Sequence, residues 1–290
     1  AGIVLISTRP AVPTREELAN LAEFTQYSWL TSIEQRALSS MDTIVLGVFV
    51  APNLIGYYEV AWNLASLLAI FGTSIAQSLF PTISELNSEG KRDEVGELVT
   101  DSLAYTGLFL IPGLFGSVLI GDLLLRIYGS PFQQATTVLV VLIVARLIYA
   151  YEAQFVSTLN AINHPELAFR VNIAFVLANI VLNVLLVWAF GWLGAAVGTA
   201  SAAAIGLVAG FRALRQVIWF AVPWGELARQ ASSAMAMIVA LIPLRTLLSG
   251  ATTPIIDVLL LVGAGAGVYF GTLLGVSARF RTTVQNNAPL

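Results

Sequence analysis

Residues 167–190 (LAFRVNIAFVLANIVLNVLLVWAF) and residues 193–213 (LGAAVGTASAAAIGLVAGFRA) are two apolar runs on either side of a short turn at Gly191. Each run is long enough to cross the roughly 30 Å hydrocarbon core of a bilayer as a helix. A segment that spans lipid must satisfy its own backbone N–H and C=O groups, which a helix does and an open sheet edge does not. The two runs therefore predict a pair of transmembrane helices joined by a tight turn.

Further segments of the same character lie on both sides of this pair. With it they make eight predicted spans, at residues 24–50, 56–84, 97–120, 133–160, 167–190, 193–213, 231–249 and 255–276. Of the 290 residues, 57% are hydrophobic and 11% are charged, against about 45–50% and 25% in soluble domains. The sequence therefore predicts an all-α, polytopic transmembrane bundle and excludes a soluble enzyme, a disordered chain or a fibrous repeat.

The residue types that build common catalytic and metal sites are scarce. The chain has no Cys, which excludes a disulfide framework, a thiol nucleophile and a zinc–thiolate site. His164 is the one histidine, so no His-cluster metal centre is expected. No Gly-rich phosphate loop with a Lys is present, and a net charge of −3 gives no indication of a nucleic-acid partner. We expect no catalytic residue, no metal and no cofactor.

The eight spans suggest three stretches along the chain. Residues 1–22 are interpreted as the end of a truncated helix followed by a cytoplasmic linker helix. The apolar residues 1–7 are too few for a span, and Thr14 to Glu17 match the capping box that opens a helix. Residues 23–216 are predicted to form a six-helix transmembrane lobe. Residues 217–290 are predicted to contain an interfacial segment with Trp219 and Trp224, two additional transmembrane helices and a cytoplasmic tail.

The distribution of basic residues predicts the orientation of the spans. If the first loop is cytoplasmic, most of the 14 basic residues fall on that side, whereas Arg36 and Arg146 lie within spans. Basic residues are enriched in cytoplasmic loops. We therefore expect a multi-pass protein of the plasma membrane with its C-terminus in the cytoplasm.

The first span carries a polar stripe at helical spacing opposite an apolar one. Because Arg or Asp at mid-bilayer costs about 2.5–3.5 kcal/mol or more, this stripe should not face lipid. It is expected to line an aqueous cavity; a helix lying flat at the membrane surface is the alternative. The second span also has a polar stripe, and Pro81 near its end is expected to break or kink the helix.

These stripes provide the candidate site. The predicted cavity residues are Ser32, Gln35, Arg36, Ser39, Asp42, Glu59, Asn63, Arg146, Tyr149 and Asn160. The two arginines are either anion-binding groups, for which the planar guanidinium suits phosphate, or members of structural ion pairs. Four carboxylates are candidates for binding a coupling cation or proton, with salt bridges or lipid headgroups as the alternative: Glu34, Asp42, Glu59 and Glu152.

Two series of small residues recur every four positions. One is Gly194, Gly198, Ala202, Gly206 and Gly210, and the other is Gly263, Gly267, Gly271 and Gly275. Such series let helix backbones approach closely in lipid, so both predict helix packing, with a seam that slides during transport as the alternative. A third series, Asn172, Asn179 and Asn183, is typical of hydrogen bonds between transmembrane helices.

Several motifs resemble one family. Residues 41–47 (MDTIVLG) with 55–58 (IGYY) resemble the opening of the second half of polysaccharide-unit flippases, which belong to the multidrug/oligosaccharidyl-lipid/polysaccharide exporter superfamily. Residues 79–84 (LFPTIS) resemble the end of the next helix in that family. Residues 179–183 (NIVLN) with 191–196 (GWLGAA) are similar to the family's join between two adjacent helices. The similarity is clear over about residues 14–216, and the last two spans agree by hydropathy.

The resemblance implies a two-lobe flippase fold, of which this chain would supply the second six-helix lobe and two extra C-terminal helices. The first lobe would belong to a missing N-terminal part of the same protein. The implied function is transport of a polyprenyl-phosphate-linked saccharide from the cytoplasmic to the outer leaflet by alternating access, without enzymatic chemistry. The expected partners are the lipid bilayer and that substrate. A cation-coupled multidrug antiporter of the same superfamily and a membrane-embedded glycosyltransferase or polymerase are the alternatives.

Overall fold

The computed structural model describes residues 41–248 and 253–287, and these residues are almost entirely helical. Residues 41–49 form the described part of α1. The following elements are α2 (Pro52–Ser88), α3 (Arg92–Thr106), α4 (Leu110–Arg126), a 3-10 helix (Ser130–Ala135), α5 (Thr136–Ala161), α6 (Pro165–Phe190), α7 (Trp192–Arg215), α8 (Trp224–Leu248), α9 (Pro254–Val276) and α10 (Ala278–Asn287).

Seven helical stretches of the described chain are long and apolar enough to cross a membrane. They correspond to seven of the eight predicted spans. The remaining span, residues 24–50, lies mostly outside the described residues, and its last part is α1. The helices begin where local chemistry predicts: α2, α6 and α9 each carry a proline in the first turn, where the missing N–H has no helical partner.

The turn between α6 and α7 is as tight as the sequence predicts. Gly191 lies there with φ of 61° and ψ of −142°, a conformation that residues with a Cβ rarely adopt. Its N–H donates to the carbonyl of Val187 at 2.8 Å. The two helices consequently run side by side along their whole length, which brings the asparagine series of α6 against the small residues of α7.

Three predicted features differ in the structure. The span at 97–120 is interrupted between α3 and α4, because Pro112 has no N–H for the carbonyl of Leu108 and its ring crowds that carbonyl. Of the two outcomes predicted for Pro81, the break is not found, because α2 continues to Ser88 and one missing hydrogen bond is tolerated in so long a helix. The helix predicted at 231–249 begins at Trp224, because the polar Glu226 and Gln230 are buried against neighbouring elements.

The helices form two groups. In the first, which we call the lobe bundle (α1, α2, α5, α6 and α7), α5 packs against α2 and α7, and α6 packs against α7. Its core is an apolar cluster that includes Leu46, Trp62, Leu142 and Phe175. In the second group, the pair α8–α9 packs against α4 around residues such as Met237 and Leu261.

The two glycine series differ in their environment. In α7 all members are buried, and a Cβ on Gly194 would lie 1.9 Å from the carbonyl oxygen of Leu186. Close packing is therefore confirmed for this series. In α9 the four glycines are exposed, and no atom of the described residues lies within 4 Å of a Cβ built on any of them. The packing predicted for the second series is not found within the part of the chain that the structure describes.

Candidate functional site

Asp42 lies at the centre of a buried hydrogen-bonded cluster that joins α1, α2, α6 and α7. Its carboxylate accepts hydrogen bonds from the Tyr58 hydroxyl and from Thr199 Oγ1, the latter at 2.8 Å to Oδ1 and 2.9 Å to Oδ2. Asn179 and Asn183 donate through Nδ2 to Thr199 Oγ1 at 3.3 and 3.4 Å. We call these five residues the Asp42 cluster; each is at most 1% exposed.

The cluster contains buried oxygen atoms without a hydrogen-bond donor. The Oδ1 atoms of Asn179 and Asn183 accept no hydrogen bond from the described residues. Buried polar atoms are nearly always paired with protein, water or an ion. One carboxylate with neutral amide and hydroxyl oxygens suits a monovalent cation, whereas calcium sites generally use several carboxylates. The described residues contain no group of three His, Cys, Asp or Glu able to hold a metal ion.

Arg146 lies beside the Asp42 cluster, on α5. Its guanidinium stacks 4.1 Å above the centre of the Trp62 ring, and Nη2 donates to the Ser66 hydroxyl. It also interacts electrostatically with Tyr149, Asp42 and Tyr58. The Nε–H is buried and meets no acceptor among the described residues. Arg146 therefore supplies a positive charge and a free donor one helical turn along α2 from the residue that binds Asp42.

Glu59 forms a second contact between α1 and α2. Thr43 donates its hydroxyl to Glu59 Oε1, and the neighbouring pair is Asp42 with Tyr58. Adjacent residues of α1 thus bind adjacent residues of α2. Glu59 is half-buried, so it lies closer to the open side of the bundle than Asp42 does.

The structure brings only part of the predicted site together. Asp42, Glu59 and Arg146 all lie at the α2 side of the lobe bundle, whereas Asn160 lies 14 residues beyond Arg146 on α5, about 21 Å along the helix. Tyr149 interacts with Arg146, and its ring lies 5.8 Å from that of Phe175, whereas Asn63 is exposed. The other five candidates lie outside the described residues: Ser32, Glu34, Gln35, Arg36 and Ser39.

Glu152 occupies a separate position. Its side chain is fully buried, and its Oε1 lies 3.2 Å from the place where a Cβ on Gly206 of α7 would be. Gly206 is seven residues from Thr199, about 10 Å along α7. Glu152 is therefore outside the Asp42 cluster.

The sequence prediction missed Tyr58 and Thr199 as site residues. Thr199 lies among the small residues of α7, where glycine and alanine suggest packing and conceal one hydroxyl that faces Asp42. A signal was available, since Asn179 and Asn183 are four residues apart and so share one face of α6. Whatever α7 residue packs against that face must be polar.

An apolar cavity of about 320 Å³ lies where the α8–α9 pair meets α2, α4 and α5. Its wall includes Leu68, Phe109, Ile143, Met237 and Leu261. The hydroxyl-bearing residues in the described lining are Ser117 and Tyr269, and none of the lining is charged. We call this space the apolar cavity; it can receive hydrocarbon but offers nothing to a charged group.

Sequence comparison finds flippases among the relatives of this chain. A family model described as polysaccharide biosynthesis protein matches residues 1–137. The chain is 38% identical over 290 residues to a probable flippase, AglR, of Haloferax volcanii, covering 98% of this chain and 60% of the relative. It is 28% identical over 274 residues to the probable low-salt glycan biosynthesis flippase Agl15 of the same organism, covering 94% and 56%. The chain thus spans about 60% of the length of these curated relatives.

Comparison with solved structures finds the same architecture in a lipid II flippase, MurJ, in an inward closed conformation. The TM-score is 0.70 at 16% sequence identity, over 97% of this chain and 58% of that one. At this identity the match shows a shared fold. The all-α, polytopic membrane architecture predicted from the sequence is confirmed.

Proposed function

We propose, because the chain belongs to the polysaccharide and lipid-linked oligosaccharide flippase family, that the whole protein moves a polyprenyl-phosphate-linked saccharide from the cytoplasmic to the outer leaflet. The protein acts as a transporter and performs no covalent chemistry. Residues 23–216 form one lobe, the part of the whole protein that this chain does not span supplies the other, and rocking between the lobes exposes the site to each side in turn.

The observation that carries this proposal is a charged site inside an otherwise apolar bundle. Asp42 and Arg146 both contact α2, where Tyr58 binds Asp42 and Trp62, one turn further on, stacks on the Arg146 guanidinium, and the surrounding helices are long enough to span a membrane. Intramembrane charges are costly and typically mark the path of a substrate or ion. A saccharide headgroup with a phosphate needs hydrogen-bond donors and a cation, and Arg146 has both a positive charge and an unused Nε–H.

The apolar cavity supports the lipid part of the proposed substrate. The headgroup must cross the hydrocarbon while the tail stays within it. A cavity with an uncharged lining between the lobe bundle and the α8–α9 pair gives an isoprenoid chain a place to lie during this movement. Residues 217–290, which contain this pair, therefore act as a docking element for the tail.

The Asp42 cluster is the proposed coupling site. Its carboxylate and the free amide oxygens of Asn179 and Asn183 suit a monovalent cation such as sodium, with a proton as the alternative occupant. Binding an ion there would neutralise Asp42 and change its interaction with Arg146. The ion would then bias the two lobe positions through that pair.

Thermal stability of the purified full-length protein tests this coupling site. A ligand that binds the folded state raises the melting temperature in a concentration-dependent way. We expect sodium chloride to stabilise the wild type more than choline chloride at the same ionic strength. Asp42→Asn should abolish the difference, and Asp93→Asn, at an exposed position on α3, should keep it. An equal response of the wild type to both salts would contradict a sodium site.

The orientation is proposed from the charge distribution, with the C-terminus in the cytoplasm and the protein in the plasma membrane. Disruption of the complete gene tests the function itself. The lipid-linked saccharide should still be made and should accumulate, while glycan at the cell surface is lost. Normal surface glycan would contradict the proposal, and a changed resistance to drugs or dyes without any glycan effect would point to multidrug export.

A further inference from the structure

The segment that joins α7 to α8, residues 216–223, is fixed to the surface of α3. The carbonyl oxygen of Trp219 lies 2.2 Å from where a Cβ on Gly96 would be, so only a glycine there allows the approach. One turn further along α3, Thr100 Oγ1 accepts a hydrogen bond from the Ala221 N–H at 3.0 Å. The segment therefore has a defined position and can form the wall of a binding site.

A cavity of about 490 Å³ lies behind this segment, between α3, α5, α7 and the start of α8. We call it the linker cavity. Its floor is apolar and includes Leu103, Phe155, Leu207 and Leu227. Arg212 is the one charged residue in its described lining. The volume falls within the roughly 300–1,000 Å³ typical of ligand pockets, and this cavity shares no lining residue with the apolar cavity.

Arg212 differs from Arg229 and Arg215 because no ion pair or aromatic ring of the described residues contacts its guanidinium. Arg229 pairs with Glu226 at 3.0 Å, and the Arg215 guanidinium lies 4.8 Å from the centre of the Phe220 ring. Arg212 is exposed and takes part in none of the ion pairs or cation–π contacts of the described chain. A guanidinium at the edge of an apolar cavity is thus left for an anionic group.

Two exposed tryptophans indicate the depth of this site in the bilayer. Trp219 is 76% exposed and Trp224 is 73% exposed, one on the linker and the other at the first residue of α8. Tryptophan is enriched where the headgroups meet the hydrocarbon. The Arg212 end of the linker cavity therefore lies at headgroup depth, and its apolar floor extends toward the acyl chains.

We propose that the linker cavity binds an anionic phospholipid of the surrounding bilayer. The phosphate contacts the Arg212 guanidinium, and part of an acyl chain occupies the floor formed by residues such as Phe155 and Leu207. Basic pockets between transmembrane helices commonly bind anionic headgroups in this way. Since α7, the linker and α8 all line the cavity, the bound lipid stabilises the attachment of the α8–α9 pair to the lobe bundle.

Native mass spectrometry of the full-length protein tests this site. The protein is extracted from bilayers that contain equal amounts of phosphatidylglycerol and phosphatidylcholine, and the retained lipids are identified. We expect the wild type to retain phosphatidylglycerol preferentially. Arg212→Gln should lower that retention about fivefold, the effect of one basic residue near an anionic surface. Arg212→Lys should retain most of it.

Two further variants keep the result interpretable. Arg170→Gln removes an exposed arginine of α6 that does not line the cavity and should leave retention unchanged. Val208→Trp, at an exposed position of the lining, should fill the cavity and lower retention without disturbing the fold.

Three results would overturn the proposal. They are retention of phosphatidylglycerol by Arg212→Gln at the wild-type level, equal retention of both phospholipids by the wild type, and displacement of phosphatidylglycerol by an equimolar polyprenyl phosphate. The last result would assign the cavity to a transported lipid. None of these measurements depends on transport, so the lipid site and the proposed flippase function can fail independently.

Discussion

The lobe bundle and the α8–α9 pair are both built from apolar helices, but they enclose opposite kinds of space. Where α1, α2, α6 and α7 meet, the bundle buries a carboxylate, two amides and two hydroxyls in the Asp42 cluster. Between α9, α8 and α4 the structure leaves a cavity with no charged lining. Overall hydrophobicity identifies both groups as membrane helices. The few polar residues decide which group can bind a polar headgroup and which can bind a lipid tail.

The glycine series of α7 and α9 show the same contrast. Both have a spacing of four, but the α7 glycines are in contact with backbone or side-chain atoms, and the α9 glycines face open space among the described residues. A glycine series therefore predicts that another helix can approach closely. It does not predict that this other helix belongs to the same part of the chain.

The largest expected loss of stability comes from adding a methyl group where the backbones of α6 and α7 are in contact. Gly194→Ala places a methyl group 1.9 Å from the Leu186 carbonyl oxygen and 2.9 Å from the Val187 nitrogen, both backbone atoms that cannot rotate away. Overpacking of this kind costs about 1–3 kcal/mol or more. We expect little folded protein and a clearly lower melting temperature, measured by size-exclusion chromatography and thermal unfolding in detergent. Wild-type behaviour would show that α6 and α7 separate easily.

The second effect concerns the polar centre of the lobe bundle. Asp42→Asn keeps the size of the side chain but removes the negative charge beside Arg146. We expect surface glycan per folded protein to fall at least about tenfold, equivalent to about 1.4 kcal/mol, while the folded amount stays near that of the wild type. Asp93→Asn serves as the control at an exposed site. Unchanged output from Asp42→Asn would remove the cluster from the mechanism.

A smaller effect is expected at the apolar cavity. Ala266→Trp adds a large ring to an exposed position of its lining. If the cavity receives an isoprenoid tail, transport of long-chain substrate should fall several-fold, and a short-chain analogue should be affected less. Leu259→Trp, also on the exposed surface of α9 but outside the lining, is the matched control. Equal effects of the two variants would show that the cavity does not hold the tail.

The smallest effect is expected in the exposed glycine series. Gly267→Ala adds a methyl group where no described atom lies within 4 Å. The melting temperature should stay the same or rise by the equivalent of at most about 1 kcal/mol, because alanine favours the helix more than glycine does. A loss as large as that of Gly194→Ala would mean that another helix packs on this face in the whole protein.

The sequence predicts the helices much better than the site. Long apolar runs and Gly191 are local signals, so the seven described spans and the α6–α7 turn follow from them directly. The Asp42 cluster depends on contacts between residues up to 157 positions apart, and no local pattern reports these. Helical spacing correctly indicates that Asn179 and Asn183 share a face of α6, but it cannot show that Thr199 and Asp42 meet that face.

Asn160 shows a second limit of helical spacing. The spacing indicates that it shares a face of α5 with Arg146, but the helical rise separates the two residues by about 21 Å along the helix. A shared face is necessary for a common site and not sufficient. The early start of α8 has a related cause, since Glu226 and Gln230 look solvated in sequence and are buried by tertiary contacts.

The sidedness of the lipid-linked saccharide is the most direct test of the account. Right-side-out membrane vesicles from cells with the complete gene, without it, or with Asp42→Asn are treated with an impermeant reagent that modifies the saccharide. We expect modification of a large fraction of the saccharide with the wild-type gene, and of little in the other two strains despite equal or larger total amounts. The same accessible fraction in all three would contradict it.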